Sequence, residues 1–218
     1  MKIDVFFDTV CPWCRIGERN LKLAIQQWQG DPVTIHYHPF FLNANIPPEG
    51  YDFRSYMNLK GGGKVPLEQW FDAPRQAGAA VGLVFDFMAI GRAPNTLLSH
   101  RLIALTPAEY TEAMIDAIYA AYFEHGRDIG DVDVLVTIAA HVGLDAEQIR
   151  QQLLSNAAAD EVLAAVAEAE TLGITGVPFF VLNDQFAFSG AHPPRSILRV
   201  MQQAAAPISQ PDTLTEGQ

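Results

Sequence analysis

The two cysteines of this 218-residue chain stand three apart, in Cys11-Pro12-Trp13-Cys14, and that spacing is capable of chemistry. If the segment opens a helix, Cys11 takes the cap and Cys14 lies one turn in, on the same side. Their Cβ atoms would then be about 5–6 Å apart, near the separation a disulfide accepts. Cys11 would face unsatisfied backbone N–H groups and the positive end of the helix dipole, which favour thiolate over thiol. A thiolate is the nucleophile of disulfide exchange, and the deeper Cys14 would resolve the mixed disulfide. Two duller readings compete. A structural bridge across so short a loop gains only roughly 2 kcal/mol, and a chain this long has little need of it. Zinc would need two further ligands. No other cysteine exists, and His36 and His38 read as solvent-facing or packed polar side chains on one strand face.

The local sequence supplies the strand and the helix that this geometry requires. Ile3 to Phe7 is a short apolar run suited to a strand buried on both faces. Asp8-Thr9-Val10 turns the chain, and Pro12 suits the first helical position, where its missing N–H costs nothing. The helix is expected to run to about Trp28, with Gly17, Leu21, Ala24, Ile25 and Trp28 on one face, until Gly30-Asp31-Pro32 stops it. Val33 to Tyr37 alternates as a second strand, completing a right-handed βαβ crossover.

From about Asn43 to Thr171 the pattern turns helical, with almost no strand signal. Helices are expected over Phe53 to Leu59, Pro66 to Val81 and Thr96 to Leu105. Thr106-Pro107-Ala108-Glu109 reads as a capping box opening a helix through Phe123. Asp131 and Asp145 read as N-caps, the second with Gln148 at the third position, and Asn156 precedes an alanine-rich helix to about Leu172. Strand signals return at Val177 to Leu182 and, after the turn Asn183-Asp184, at Gln185 to Phe188. A last helix opens near Pro194. Gly173-Ile174-Thr175-Gly176-Val177-Pro178 leads into the returning strand, and a proline there suits a cis bond facing the cysteines. The whole reads as α/β in the order βαβ, all-helical insertion, ββα, an order that resembles the thioredoxin fold. Residues 1–42 plus 173–206 form the thioredoxin-like unit, 43–172 the inserted helices, and 207–218 a disordered tail.

Composition narrows the function. Lys plus Arg number 14 against 25 Asp plus Glu, a formal charge of −11, which repels a phosphate backbone; nucleic acid is excluded as a partner. No apolar run reaches the roughly 18 residues of a membrane span, so no membrane partner is expected. Asp4 and Asp8 interrupt the N-terminal apolar stretch before it could serve as a signal peptide. A cytoplasmic location follows as the expectation, and in that reducing compartment two cysteines are chemical sooner than structural.

Several segments together resemble the DsbA superfamily, and more narrowly its FrnE-like branch. They are Asp8-Thr9-Val10-Cys11-Pro12-Trp13-Cys14, Asn95-Thr96 with His100-Arg101-Leu102, Tyr122-Phe123 with Gly126-Arg127-Asp128-Ile129, Gly173 to Phe180, and Ser189-Gly190-Ala191. The resemblance spans about residues 1 to 205. It implies a thiol–disulfide oxidoreductase with Cys11 as nucleophile, Cys14 as resolving thiol and cis-Pro178 against the substrate backbone. Substrate thiols or disulfides, from proteins or small molecules, would lie between Pro12, Trp13, the Val177-Pro178 turn and the helical lid. DsbA proper has histidine where Trp13 stands, so the strong thiolate stabilisation of that enzyme does not carry over. Related kappa-class glutathione transferases and 2-hydroxychromene-2-carboxylate isomerases look like the same fold with serine in place of Cys11. They supply an alternative, a glutathione-dependent isomerase or transferase, in which the Val177 backbone and Asn95 hold a glutathione-like peptide. No bound cofactor is expected, with glutathione a candidate redox co-substrate. The family allows a monomer or a homodimer.

Asp8 is a candidate acceptor for the resolving thiol's proton, though strand-end turn chemistry explains it equally well. His100 reads first as a packed or capping histidine, second as an accessory near the thiols. Gly61-Gly62-Gly63-Lys64-Val65 lacks the leading glycine, the Ser/Thr and the preceding strand of a phosphate loop, and reads as a connector. Trp70, Phe71, Phe85 and Phe87 read as core of the insertion, or as the wall of a groove beside the cysteines.

Overall fold

Six residues, Lys2–Phe7, form the central strand β1, and five of them are buried, as a two-sided apolar run demands. The computed structural model describes residues 1–63 and 66–206. The 207–218 tail, and Lys64 and Val65 of the glycine-rich connector, lie outside the described residues. Helix α1 follows over Pro12–Ile25 and strand β2 over Thr34–Pro39, which pairs parallel to β1. The helix stops at Ile25, short of Trp28. Gln27 and Trp28 donate to carbonyls three residues back, and the Trp28 indole is tied to the Asp31 carbonyl, so the chain tightens into the Gly30 turn.

The chain then leaves the sheet. A two-residue ribbon, β3 (Tyr51–Asp52) with β4 (Arg92–Ala93), brackets α2 (Phe53–Lys60), α3 (Leu67–Trp70) and α4 (Asp72–Ala79). Strands so short have no periodicity to read. The helix expected from Pro66 to Val81 is broken at Phe71, whose ring turns inward to stack on Phe87 at 4.1 Å. Helices α5 (Leu97–Ala104), α6 (Thr111–Phe123), α7 (Val132–Val142), α8 (Ala146–Leu154) and α9 (Ala159–Thr171) complete the block.

Asp131 and Asp145 cap α7 and α8, the latter accepting from the Gln148 amide. The expected capping box at Thr106 does not form. Its hydroxyl donates back to the Leu102 carbonyl at 2.7 Å, and a 3₁₀ turn, Ala108–Tyr110, precedes α6. Helix α9 follows Asn156 as expected, with Ala158 at its cap at φ +59. The buried Arg101 dictates that corner by donating to the carbonyls of Gln152, Ser155 and Ala157.

Strands β5 (Phe179–Leu182) and β6 (Phe186–Ser189) return as an antiparallel hairpin, and α10 (Pro194–Ala205) closes the fold. The sheet order is β2-β1-β5-β6, with β5 antiparallel to β1. Leu21 and Ala24 of α1 and Ile197 and Met201 of α10 pack on one sheet face with Ile3, Val5, Phe180 and Leu182. Ala169 of α9 covers Phe6 on the other. Phe7, Cys11, Cys14 and Ile16 belong instead to the large apolar cluster of the helical block. The thiols therefore sit on the seam between sheet unit and helical block. No helix among the described residues is long and apolar enough to cross a membrane.

Candidate active site

Strand β1 ends where Asp8, Thr9 and Val10 turn the chain, and the Cys11 amide donates to the Asp8 carbonyl at 3.0 Å. Cys11 takes the cap position of α1 with extended backbone, and Pro12 opens the helix. The Cys14 amide donates to Cys11 Sγ at 3.1 Å. Cys14 is 1 % exposed. Burial, then the contact with Cys11 and that sulfur's charge, push the Cys14 thiol well above its ordinary range, although the Asp8 backbone amide pulls the other way. One sulfur thus accepts a hydrogen bond at the cap while its neighbour is held as the protonated partner.

The Val177–Pro178 peptide is cis, and Cys11 Sγ lies 3.8 Å from the Val177 carbonyl oxygen. Pro178 reaches this place because residue 17 is glycine: a Cβ there would come within 3.0 Å of Pro178 Cγ and 3.2 Å of Phe180 Cζ. The sequence places Gly17 on the buried face of α1 without indicating that a proline ring occupies the space above it.

The helical block anchors this tip from behind. Thr9 Oγ1 and Ser99 Oγ share a buried hydrogen bond of 2.8 Å. Asp8 is buried, with Oδ2 accepting from the Leu42 amide at 2.8 Å and Oδ1 3.4 Å from His100 Nε2. His100 packs edge-on to Phe7. Asn95 is not brought to the thiols. Its amide donates to the Ile46 carbonyl at 2.6 Å and its oxygen accepts from the Leu97 amide at 3.0 Å, so both ends are committed to holding the start of α5. His36 and His38 both turn to Asp4, the latter at 2.8 Å.

Three residues gave no sequence signal of their own. Arg15, one past the second cysteine, is buried and ion-paired with Glu124, tying the CxxC helix to the end of α6. Glu18 is buried one turn beyond Cys14. It accepts from the Tyr37 hydroxyl at 3.0 Å and lies 3.1 Å from Lys22 Nζ. Burial raises its pKa to about 7 despite the lysine. Tyr119 is fully buried, and its hydroxyl finds no hydrogen-bond partner among the described residues. Burial, then the neighbouring Cys14, pushes its ionisation far up. A buried acid or hydroxyl inside an apolar-patterned helix is invisible until the helices pack.

In front of Cys11 opens a cavity of about 450 Å³. Asp8, Val10, Cys11, Pro12, Trp13 and Val177 line one side. The other is aromatic and aliphatic, including Phe53, Met57, Phe71, Phe87 and Phe123. Phe71 and Phe87 are thus wall as well as core, and Phe85 is core alone, whereas Trp70, expected in the core, is 40 % exposed and serves as wall only.

A cysteine pair at the tip of the helix after the first strand, faced by a cis-proline turn on this sheet, defines the DsbA-like thiol–disulfide oxidoreductase fold. The chain belongs to the DSBA-like thioredoxin domain family, which matches residues 2–202. It is similar to a probable DsbA oxidoreductase from Streptomyces coelicolor, with 32% identity, 98% of this chain and 94% of that one covered, and a TM-score of 0.86. The uncharacterised protein YwbO of Bacillus subtilis is 26% identical over 189 residues, covering 84% of this chain and 86% of YwbO. The cytosolic disulfide reductase DsbM of Pseudomonas aeruginosa shares the fold at 16% identity, with 93% and 98% of the two chains covered and a TM-score of 0.66.

Proposed function

We propose that this protein is a FrnE-like thiol–disulfide oxidoreductase of the cytoplasm, with Cys11 as nucleophile and Cys14 as resolving thiol. The observation that carries the proposal is the Cys14 amide donating to Cys11 Sγ while Cys14 itself is sealed and held protonated. Cys11 attacks one sulfur of a disulfide, a Cys11–substrate disulfide forms, and the other half leaves as a thiolate. Cys14 then gives up its proton, attacks the Cys11 sulfur and releases the second thiol. Pro12, Trp13, Val177 and Pro178 position the substrate at this sulfur, and the helices of 43–172 serve as the lid. Asp8 is the accessory base, positioned by His100 and the Leu42 amide. A low-molecular-weight thiol restores the reduced pair. Glutathione suits that role, and DsbM, which shares this fold, has been solved with it. The DsbM cytosolic setting also supports the cytoplasmic reading, in which electrons flow toward the substrate.

The test is Cys14→Ser, pre-reduced and mixed with a disulfide. A covalent adduct confined to Cys11, seen by mass spectrometry, is the expected result. Full turnover without any adduct would contradict the mechanism and favour the glutathione-dependent isomerase or transferase, which needs no resolving thiol.

A further inference from the structure

Cys11 is only 3 % exposed, and it opens onto the wall of a cavity rather than onto the outer surface. A disulfide in a folded protein brings two backbone segments with it. The space before Cys11, at about 450 Å³, instead matches what a drug-sized molecule fills. Its depth is apolar, with Phe53, Met57, Phe71, Phe87, Ala93 and Phe123 all buried. The Tyr122 hydroxyl there already donates to the Arg92 carbonyl, and the Asn43 amide to the Tyr56 hydroxyl, so these two polar side chains have partners within the wall.

Charge at the cavity is asymmetric. Among the described lining residues, Asp8 is the one anion, and its carboxylate is turned to the Leu42 amide and His100. Lys60 is the one cation; it is exposed at the end of α2, with its ammonium 5.9 Å from the centre of the Tyr56 ring. On a chain of net charge −11, Lys60, the one cation among the described lining residues at the rim of an apolar cavity, selects an acid group at the outer end of an otherwise apolar ligand.

Building on the exchange reading above, we infer that Cys11 acts on low-molecular-weight disulfides with an aromatic or branched apolar arm ending in a carboxylate, in preference to protein disulfides. The arm fills the cavity, its acid meets Lys60, and its sulfur meets Cys11. Attack forms the Cys11–arm disulfide and expels the other half as a thiolate, which takes a proton. Attack by Cys14 then releases the arm as a thiol and leaves the Cys11–Cys14 disulfide. Two electrons pass from the protein dithiol to the substrate, and a small thiol such as glutathione or dithiothreitol returns them.

The experiment follows single-turnover oxidation of the pre-reduced full chain by four disulfides: bis(4-carboxybenzyl) disulfide, its neutral carbamoyl counterpart, hydroxyethyl disulfide and insulin. Each rate is normalised to that disulfide's reaction with free dithiothreitol. The carboxybenzyl disulfide should saturate and exceed hydroxyethyl disulfide and insulin by about tenfold or more. Ala93→Leu, which fills the cavity, should collapse the benzyl-to-hydroxyethyl ratio by about tenfold. The surface change Lys60→Met should bring the carboxy and carbamoyl compounds together, a loss of about threefold, and does not depend on repacking the interior. Normalised rates that are equal for all four compounds, or greatest for insulin, with both ratios unmoved in the two variants, would overturn the inference and leave the exchange reading standing. If no disulfide, hydroxyethyl disulfide included, oxidises the protein, the exchange reading itself falls.

Discussion

The sheet unit and the helical block meet at the same sulfur, and they handle it by different means. On the sheet side the contacts to Cys11 are largely backbone: the Asp8 carbonyl, the Cys14 amide and the Val177 carbonyl. On the helical side the support comes from side chains and reaches Cys11's neighbours: the hydroxyl of Ser99 braces Thr9, the ring of His100 lies beside Asp8, and an aromatic wall stands across the cavity. Backbone contacts survive most substitutions, and side-chain contacts do not. On the proposed reading, the difference teaches that the chemistry is built into the chain ends, while the block between them braces the buried carboxylate and shapes the cavity.

The largest effect is expected where the two regions press on one buried acid. Glu18 of α1 meets Tyr37 of β2, while Lys22 beside it reaches Asp116 of α6. Burial works against the charge of Lys22, but Glu18 and Asp116 outweigh it and hold its pKa at about 12. With its own pKa raised from 4.5 to about 7, Glu18 binds its proton more tightly in the folded state. Its contribution is therefore fully present below pH 4.5, is lost as pH rises through 7, and is absent above. Urea unfolding of wild type should lose about 3 kcal/mol more between pH 4.5 and pH 8 than Glu18→Gln does. Parallel curves for the two proteins would show that the acid ionises freely.

Asp8→Asn separates proton handling from nucleophilic attack. Resolution of the mixed disulfide should slow by about tenfold to a hundredfold, with a shifted pH profile, while adduct formation at Cys11 is spared. A rapid-quench time course resolves the two steps, and equal slowing of both would make Asp8 a turn residue alone.

Gly17→Ala tests the backbone side. The methyl would press on a proline ring and on the fully buried Phe180, neither of which can swing away. Destabilisation of about 1–3 kcal/mol in urea unfolding is expected, outweighing the better helix propensity of alanine. Smallest of all, Tyr119→Phe removes a buried hydroxyl with no partner among the described residues, and should leave stability unchanged or higher by up to about 1 kcal/mol. A loss instead would reveal that the hydroxyl makes a contact toward Cys14 in solution.

The frame was legible wherever one local rule governed. Strand β1, the cap at Cys11, the proline start of α1 and the Asp131 and Asp145 caps each follow from a few adjacent residues. The failures share a cause. Thr106 bonds backward and the Pro66–Val81 helix breaks at Phe71 because the packed structure rewards another arrangement. Asn95 also has partners its motif does not announce: its amide donates to the Ile46 carbonyl and its oxygen accepts from the Leu97 amide.

By itself the sequence determined that two thiols lie one helical turn apart after a buried strand, because that spacing needs only helix geometry and a proline at the start. The tertiary structure decided which groups surround them. It brings Val177 across 166 residues to Cys11, sets Asp8 against His100 across 92, and closes an aromatic cavity in front of the sulfur. Such neighbours are chosen by burial and packing between elements far apart in the chain, and no local pattern encodes them.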